Sequence, residues 1–174
     1  MRLSRRSLIL GTAALAACSR LPASPTPPLQ PITLEEAFAG RATGAGLFRV
    51  YLTGSERRFT ARLNGRLQGD RLTVVEDFLY EDGDENRLTW VFDRTGPGLW
   101  RGQREDTVGY AEVVESGTEI RLTYTADFAS PEGVTRLDFA DVIYRGDDGR
   151  IINDAVVSRW GLPVATVRFG MIPA

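Results

Sequence analysis

From Arg41 to the C-terminus, apolar and polar residues alternate with a period of two, the pattern of strands that bury one face and wet the other. Phe59, Ala61, Leu63, Gly65 and Leu67 share one side of the run from Arg57 to Gln68, while Arg58, Thr60, Arg62, Asn64, Arg66 and Gln68 take the other. Leu72, Val74, Phe78 and Tyr80 continue the pattern, Asp82-Gly83-Asp84 turns it, and Leu88, Trp90 and Phe92 bring it back as a hairpin. Gly96-Pro97-Gly98 leads into a strand over Leu99 to Arg104, another covers roughly Val108 to Glu115, and Ser116-Gly117 reverses the chain again. Ile120, Leu122, Tyr124, Ala126 and Phe128 alternate without a fault, and Ser130-Pro131-Glu132-Gly133 closes that run. The last strands are Thr135 to Arg145, Ile151 to Ser158 and Val164 to Ile172, divided by Asp147-Asp148-Gly149 and by Gly161-Leu162-Pro163.

One helical signal precedes the strands. Thr33 and Glu36 have the spacing of a capping box, and Leu34, Ala37 and Phe38 supply an apolar face for one or two turns before Gly40. So many consecutive antiparallel strands would leave two adhesive edges in an open sheet, and short hairpins favour closure. The expected fold is therefore all-β, an antiparallel up-and-down lipocalin-like (calycin-type) β-barrel of about eight to ten strands with a short N-terminal helix. A two-sheet sandwich is the alternative, and pairing of the first strand with the last discriminates between them.

The N-terminus follows another pattern. Arg2, Arg5 and Arg6 precede an apolar stretch from Ser7 to Leu15 that is too short to span a bilayer, which reads as an export signal. Leu15-Ala16-Ala17-Cys18 resembles a bacterial lipobox, which implies cleavage before Cys18 and attachment of acyl chains to its sulfur. The basic start fits either the twin-arginine or the Sec route. Ser19, rather than Asp, follows the cysteine, which by resemblance favours the outer membrane facing the periplasm. Five prolines between Ser19 and Pro31 forbid a helix and make an extended spacer. The chain thus divides into a signal peptide (1–17), a lipidated cysteine with a proline-rich tether (18–32) and one barrel domain (33–174).

Composition narrows the chemistry. The 174 residues include no histidine, and all 21 basic residues are arginine, so histidine triads, lysine Schiff bases and histidine-ligated zinc are excluded. With 23 acidic residues the formal net charge is -2, which offers no footprint for nucleic acid. Loss of the signal peptide would remove three arginines and no acid, leaving a mildly acidic body. No phosphate-binding glycine loop is present, and no cofactor or metal is expected. Acids around Gly83 could suggest calcium, but their spacing lacks the EF-hand pattern and suits a solvated hairpin tip.

Polar residues that break the apolar faces are the remaining candidates. Glu76 shares a face with Leu72, Val74, Phe78 and Tyr80, and Asp141 lies between Phe139 and Ile143, so both carboxylates should point inward. Arg104 shares parity with Trp100, Gly102 and Asp106 and could meet Glu76 or Asp141, with Arg87 as the alternate partner. In the functional reading, Arg104 with Tyr80 and Tyr124, beside a wall of Trp90, Trp100 and Phe128, holds the head of a fatty acid or phospholipid. An internal salt bridge that fixes strand register explains the same residues. A paired-carboxylate active site from Glu76 and Asp141 is the weakest alternative, and no catalytic residue is assigned. Arg58, Arg62 and Arg66 form an outward comb that suits either anionic headgroups or plain solvent.

The chain also resembles the bacterial lipoproteins grouped as domain of unknown function 3833. The resemblance rests on Glu76-Asp77-Phe78-Leu79-Tyr80-Glu81-Asp82-Gly83, Arg87-Leu88-Thr89-Trp90, Gly98-Leu99-Trp100-Arg101-Gly102, Glu105-Asp106-Thr107-Val108-Gly109-Tyr110-Ala111, Phe139-Ala140-Asp141-Val142-Ile143-Tyr144, Ile152-Asn153 and Trp160-Gly161. It implies a lipid-anchored β-barrel and no established activity. Two functions are therefore expected to compete: a membrane-attached carrier of a hydrophobic ligand, and an accessory envelope lipoprotein that scaffolds a protein partner.

Overall fold

The computed structural model describes residue 22 and residues 30–130 and 133–174. The proposed signal peptide, Cys18, most of the proline-rich segment and the Pro131-Glu132 turn lie outside these residues. One short helix, α1 (Leu34–Phe38), precedes ten strands: β1 (Gly40–Val50), β2 (Glu56–Gln68), β3 (Arg71–Tyr80), β4 (Glu85–Gly96), β5 (Leu99–Gln103), β6 (Ala111–Glu115), β7 (Glu119–Ser130), β8 (Gly133–Arg145), β9 (Ile151–Arg159) and β10 (Leu162–Pro173). Each strand pairs antiparallel with the next, and β1 pairs with β10 from Ala42↔Pro173 to Val50↔Ala165. The sheet is therefore a closed up-and-down barrel, and the sandwich alternative is excluded.

Alternation predicts the strands to within a few residues, with its largest error after β5. The expected strand from Val108 begins at Ala111 instead, because residues 104–110 form a loop that folds across β7. Thr107 N donates to Arg104 O at 3.1 Å, and Val108 N donates to Thr125 O at 2.8 Å. Those backbone groups are thus satisfied without a β5–β6 ladder.

The two ends of the barrel differ. The helix α1 plugs one end with its capping box in place: Glu36 N donates to Thr33 Oγ1 at 3.2 Å and Thr33 N donates to Glu36 Oε2 at 3.0 Å. Ile32 and Leu34 are fully buried there among Leu72, Phe92, Trp100, Ile120, Ile143, Ile151 and Met171. Glu115 ties plug to wall, accepting from Leu34 N at 2.8 Å and from Trp100 Nε1 at 2.9 Å. Arg94 adds an ion pair to Glu35 and lies 4.0 Å over the Trp100 ring. The helix reaches this position because Gly65 has no side chain: a Cβ there would stand 1.7 Å from Phe38 O. At the opposite end no helix intervenes, and the inward residues Phe48, Phe78, Tyr80, Leu88, Tyr124, Phe139 and Val167 are only half buried.

Candidate functional site

The open end is lined by rings that touch in two groups. On one wall Phe59 packs against Phe78 at 5.7 Å and stacks on Phe169 at 5.7 Å, and Phe78 stacks on Tyr80 at 6.4 Å. Gly46 makes room for this group, since a Cβ there would lie 2.2 Å from the Phe59 ring. On the other wall Tyr124 stacks on Phe139 at 4.7 Å and meets Trp90 edge-on at 5.1 Å, while Trp90 stacks on Phe92 at 5.0 Å. Arg57 lies 3.8 Å over Tyr80 and bonds Asp82 and Asp84, so the acids of the β3–β4 turn are held by a guanidinium. Among the described residues no group of three or more acidic or cysteine side chains is placed to hold a metal ion.

Beneath the rings lies a polar floor. Glu76 on β3 stands opposite Leu63 and Leu88 and is 9% exposed. Asp141 on β8 stands between Leu122 and Ala155 and is 4% exposed. Both carboxyls face the interior, as alternation requires. Arg104 enters from the loop after β5, its guanidinium 5.0 Å from the Trp90 ring and 4.9 Å from the Tyr124 ring. Its ion-pair partner is Asp106, with Nε to Oδ1 at 2.6 Å and Nη2 to Oδ2 at 3.2 Å. The expected direct pairing with Glu76 or Asp141 does not form, because two residues of sequence separation bring Asp106 alongside at little entropic cost. Arg87, the expected alternate, is exposed and bonds Asp77 on the outer face.

Burial governs the charges of this floor. It pushes the Glu76 carboxyl up to about 7, with Arg104 opposing the rise and Asp141 adding to it. It pushes Asp141 up to about 6, against the hydrogen bond from Asn153 and the charge of Arg104. Burial opposes the charge of Arg104 as well, but the Asp106 carboxylate bonded to it, with Glu76 nearby, outweighs burial and holds the guanidinium cationic. Burial raises the Tyr124 phenol, which stays protonated. Asn153 Nδ2 donates to Asp141 Oδ2 at 3.0 Å, and the other oxygens of this pair, Asp141 Oδ1 and Asn153 Oδ1, are buried and accept from no group among the described residues.

The structure brings Glu76, Trp90, Arg104, Tyr124 and Asp141 into this neighbourhood and sets Tyr80 at the mouth. Trp100 lies apart, fully buried at the plugged end, because its height in the barrel differs from that of Arg104 although the two share parity. Phe128 is exposed beyond the rim. Asn153 and Phe139 complete the site without having been singled out. Asn153 carries the same signal as Glu76, a polar residue in phase with Ile151, Ala155 and Val157. A separate cleft of about 1340 Å³ lies on the outer face of β9, β10 and β1 to β4, lined by Arg58, Arg62, Arg87 and Arg168 around the small residues Thr43, Ala45 and Thr60. Arg66, the third tooth of the expected comb, does not line it.

With fold and site in view, comparison with known proteins supplies a family. Residues 12–172 match the model of the family described as protein of unknown function (DUF3833). The chain belongs to DUF3833. No curated protein matches this DUF3833 chain. Among solved structures, the S-type phycobiliprotein lyase CPES from Guillardia theta aligns over 82% of this chain and 93% of its own, with a TM-score of 0.57 and 7% sequence identity. That likeness is one of fold, and with the closed up-and-down topology it makes this DUF3833 barrel lipocalin-like.

Proposed function

We propose that this DUF3833 protein is a lipid-anchored, periplasm-facing envelope lipoprotein that holds a hydrophobic ligand in the open end of its barrel. The carrying observation is the half-buried aromatic lining over a buried floor whose acceptors, Asp141 Oδ1 and Asn153 Oδ1, have no partner among the described residues. An unpaired buried acceptor costs about 1–3 kcal/mol, so a ligand group that donates a hydrogen bond to either oxygen would be favoured there. Three carboxyls, Glu76, Asp106 and Asp141, surround one guanidinium that already has a partner. A carboxylate head would be repelled, so the ligand is an acyl lipid ending in an amine, hydroxyl or amide rather than a bare fatty acid. The likeness in fold to a phycobiliprotein lyase supports reading the barrel as a receptacle.

The test is native mass spectrometry of protein isolated from cells that express the full chain, with lipid extraction of what co-purifies. A stoichiometric acyl species with a donor head is expected, retained by the parent and lost when Asp141→Leu and Asn153→Leu are combined in a still-folded barrel. A protein that is always empty and also ignores added phospholipids, fatty acids and fatty amines would reject the carrier and leave the scaffold for a protein partner. Anchoring is tested apart: Cys18→Ser should leave the membrane fraction, and unchanged fractionation would count against the lipid.

A further inference from the structure

The open rim carries five hairpin loops, which follow one another around the barrel as β1–β2, β9–β10, β7–β8, β5–β6 and β3–β4. The β3–β4 turn is acidic, with Glu81, Asp82, Asp84 and Glu85. The other four present large apolar side chains to solvent: Leu52 (94% exposed), Trp160 (84%), Val134 (70%), Leu162 (67%), Tyr110 (57%) and Phe128 (48%). Isolated exposed hydrophobes are ordinary, but six on one contiguous arc of one end are a patch. The adjacent β1–β2 and β9–β10 loops, joined by Tyr51 N donating to Val164 O at 2.8 Å, contain no acid, and Arg159 precedes Trp160.

Local folding does not explain these residues. The Trp160-Gly161 turn has φ of 53° and 77°, a two-residue hairpin that favours Asn-Gly. A tryptophan in that left-handed conformation is strained and recovers little from packing, since it is 84% exposed, with the Arg159 guanidinium 4.3 Å from its ring. The β7–β8 hairpin likewise extends past the barrel. Its pairing with β9 stops at Asp138↔Ser158, so residues 133–137 pair with β7 alone, and Phe128 and Val134 sit on this projection.

We infer that the open rim docks on a phospholipid bilayer through this arc, with Trp160 in the headgroup layer and Arg159 beside the phosphates. The inference rests on the lipid-anchored carrier reading, and it supplies the route by which a hydrophobic ligand passes between bilayer and barrel without crossing water. The tether permits it. The chain joins the barrel at the plugged end, where Ile32 N donates to Gly117 O at 2.9 Å. Twelve residues lie between Cys18 and Pro31. A stretch of that length can span up to about 37 Å at about 3.1 Å per residue, against about 30 Å for a barrel of tilted strands this long, so a lipid on Cys18 leaves the rim able to face the same membrane.

Tryptophan emission reads this contact directly, because Trp90 and Trp100 are buried in the barrel and Trp160 is the solvent-exposed indole. Protein isolated from cells expressing the full chain is reconstituted in vesicles of phosphatidylethanolamine and phosphatidylglycerol, with and without bromine on the acyl chains. Brominated chains should quench the Trp160 contribution about twofold or more and shield it from iodide. Trp160→Phe should abolish the effect, and Leu52→Ser with Leu162→Ser should weaken it with the fold unchanged by circular dichroism. Trp160 emission that ignores bromine and remains open to iodide would overturn docking. Lipid content of the same samples separates the two readings: bound lipid with an unquenched Trp160 rejects the rim alone, while a quenched Trp160 on an empty barrel rejects the carrier alone.

Discussion

Asn153 and Asp141, on the neighbouring strands β9 and β8, share one hydrogen bond of 3.0 Å from Nδ2 to Oδ2, and each keeps one buried oxygen with no partner among the described residues. One amide cannot satisfy a carboxylate at the centre of an apolar barrel, and the same burial that excludes water raises the proton affinity of Asp141 and, on the facing wall, of Glu76.

Stability should therefore fall as pH rises from about 4 to 7. Both acids have folded-state values, about 7 for Glu76 and about 6 for Asp141, above those of the unfolded chain. The folded state binds more protons in that window, so their contribution is fully present below the unfolded values and is lost through the folded ones. Glu76 alone accounts for about 3 kcal/mol at most. The exposed pairs of Asp77, Asp82 and Asp127 with arginines, whose carboxyls are lowered, act oppositely and set the acid limit. Urea unfolding at pH 5.5 and 8 should give the higher midpoint at pH 5.5, and Glu76→Gln should flatten the difference. A parent profile already flat would contradict the buried, raised carboxyl.

Removal of Glu115 should loosen the plug before the barrel. Glu115→Ala deletes the acceptor of both Leu34 N and Trp100 Nε1, leaving two donors at a part-buried site, a loss of about 2–4 kcal/mol. Amide exchange in α1 should accelerate more than exchange in β7 or β8, and uniform acceleration would show that the plug and barrel open as one unit.

Gly65→Ala tests the same contact from the wall side. Its new methyl meets backbone, Phe38 C and O, rather than a side chain that can turn away. The helix must lift off the barrel end, at about 2 kcal/mol or more, and the buried Leu34 must follow. Thermal unfolding should drop accordingly, while Gly83→Ala, on a turn where a Cβ meets nothing within 4 Å, costs only its left-handed backbone.

Strand alternation made the closed barrel and the inward aim of Glu76 and Asp141 legible, because a period of two separates inside from outside whatever the register. Parity alone does not give height along the axis; that needs the residue spacing as well. Trp100 and Arg104 have the same parity, but Trp100 lies beneath the plug, outside the site, and Arg104 between Trp90 and Tyr124 within it. Parity fixes only the face: four residues of strand rise about 13 Å, enough to carry Arg104 from the plugged end to the floor. The partner of Arg104 was obscured for a similar reason: a strand pattern places Asp106 further along a wall, whereas the chain turns there and folds it back. Asn153 needed only the parity argument already applied to Glu76.

Arg104 separates an ion pair kept for structure from a floor kept for ligand. Arg104→Leu alone leaves Asp106 without its cation and removes the charge that restrains the rise at Glu76, so destabilisation of about 3–5 kcal/mol is expected. Arg104→Leu combined with Asp106→Leu removes both desolvated charges and should recover most of that loss, since well-packed apolar residues often match a buried pair. If the double variant regains the parent unfolding midpoint and still retains lipid, the pair serves only the fold, and binding rests on Asp141 and Asn153. If it regains the midpoint but loses lipid, the guanidinium between Trp90 and Tyr124 is itself part of the binding surface. Failure to recover the midpoint would mean that Arg104 supports the floor through Glu76 rather than through Asp106, the arrangement that the 2.6 Å Arg104–Asp106 contact argues against.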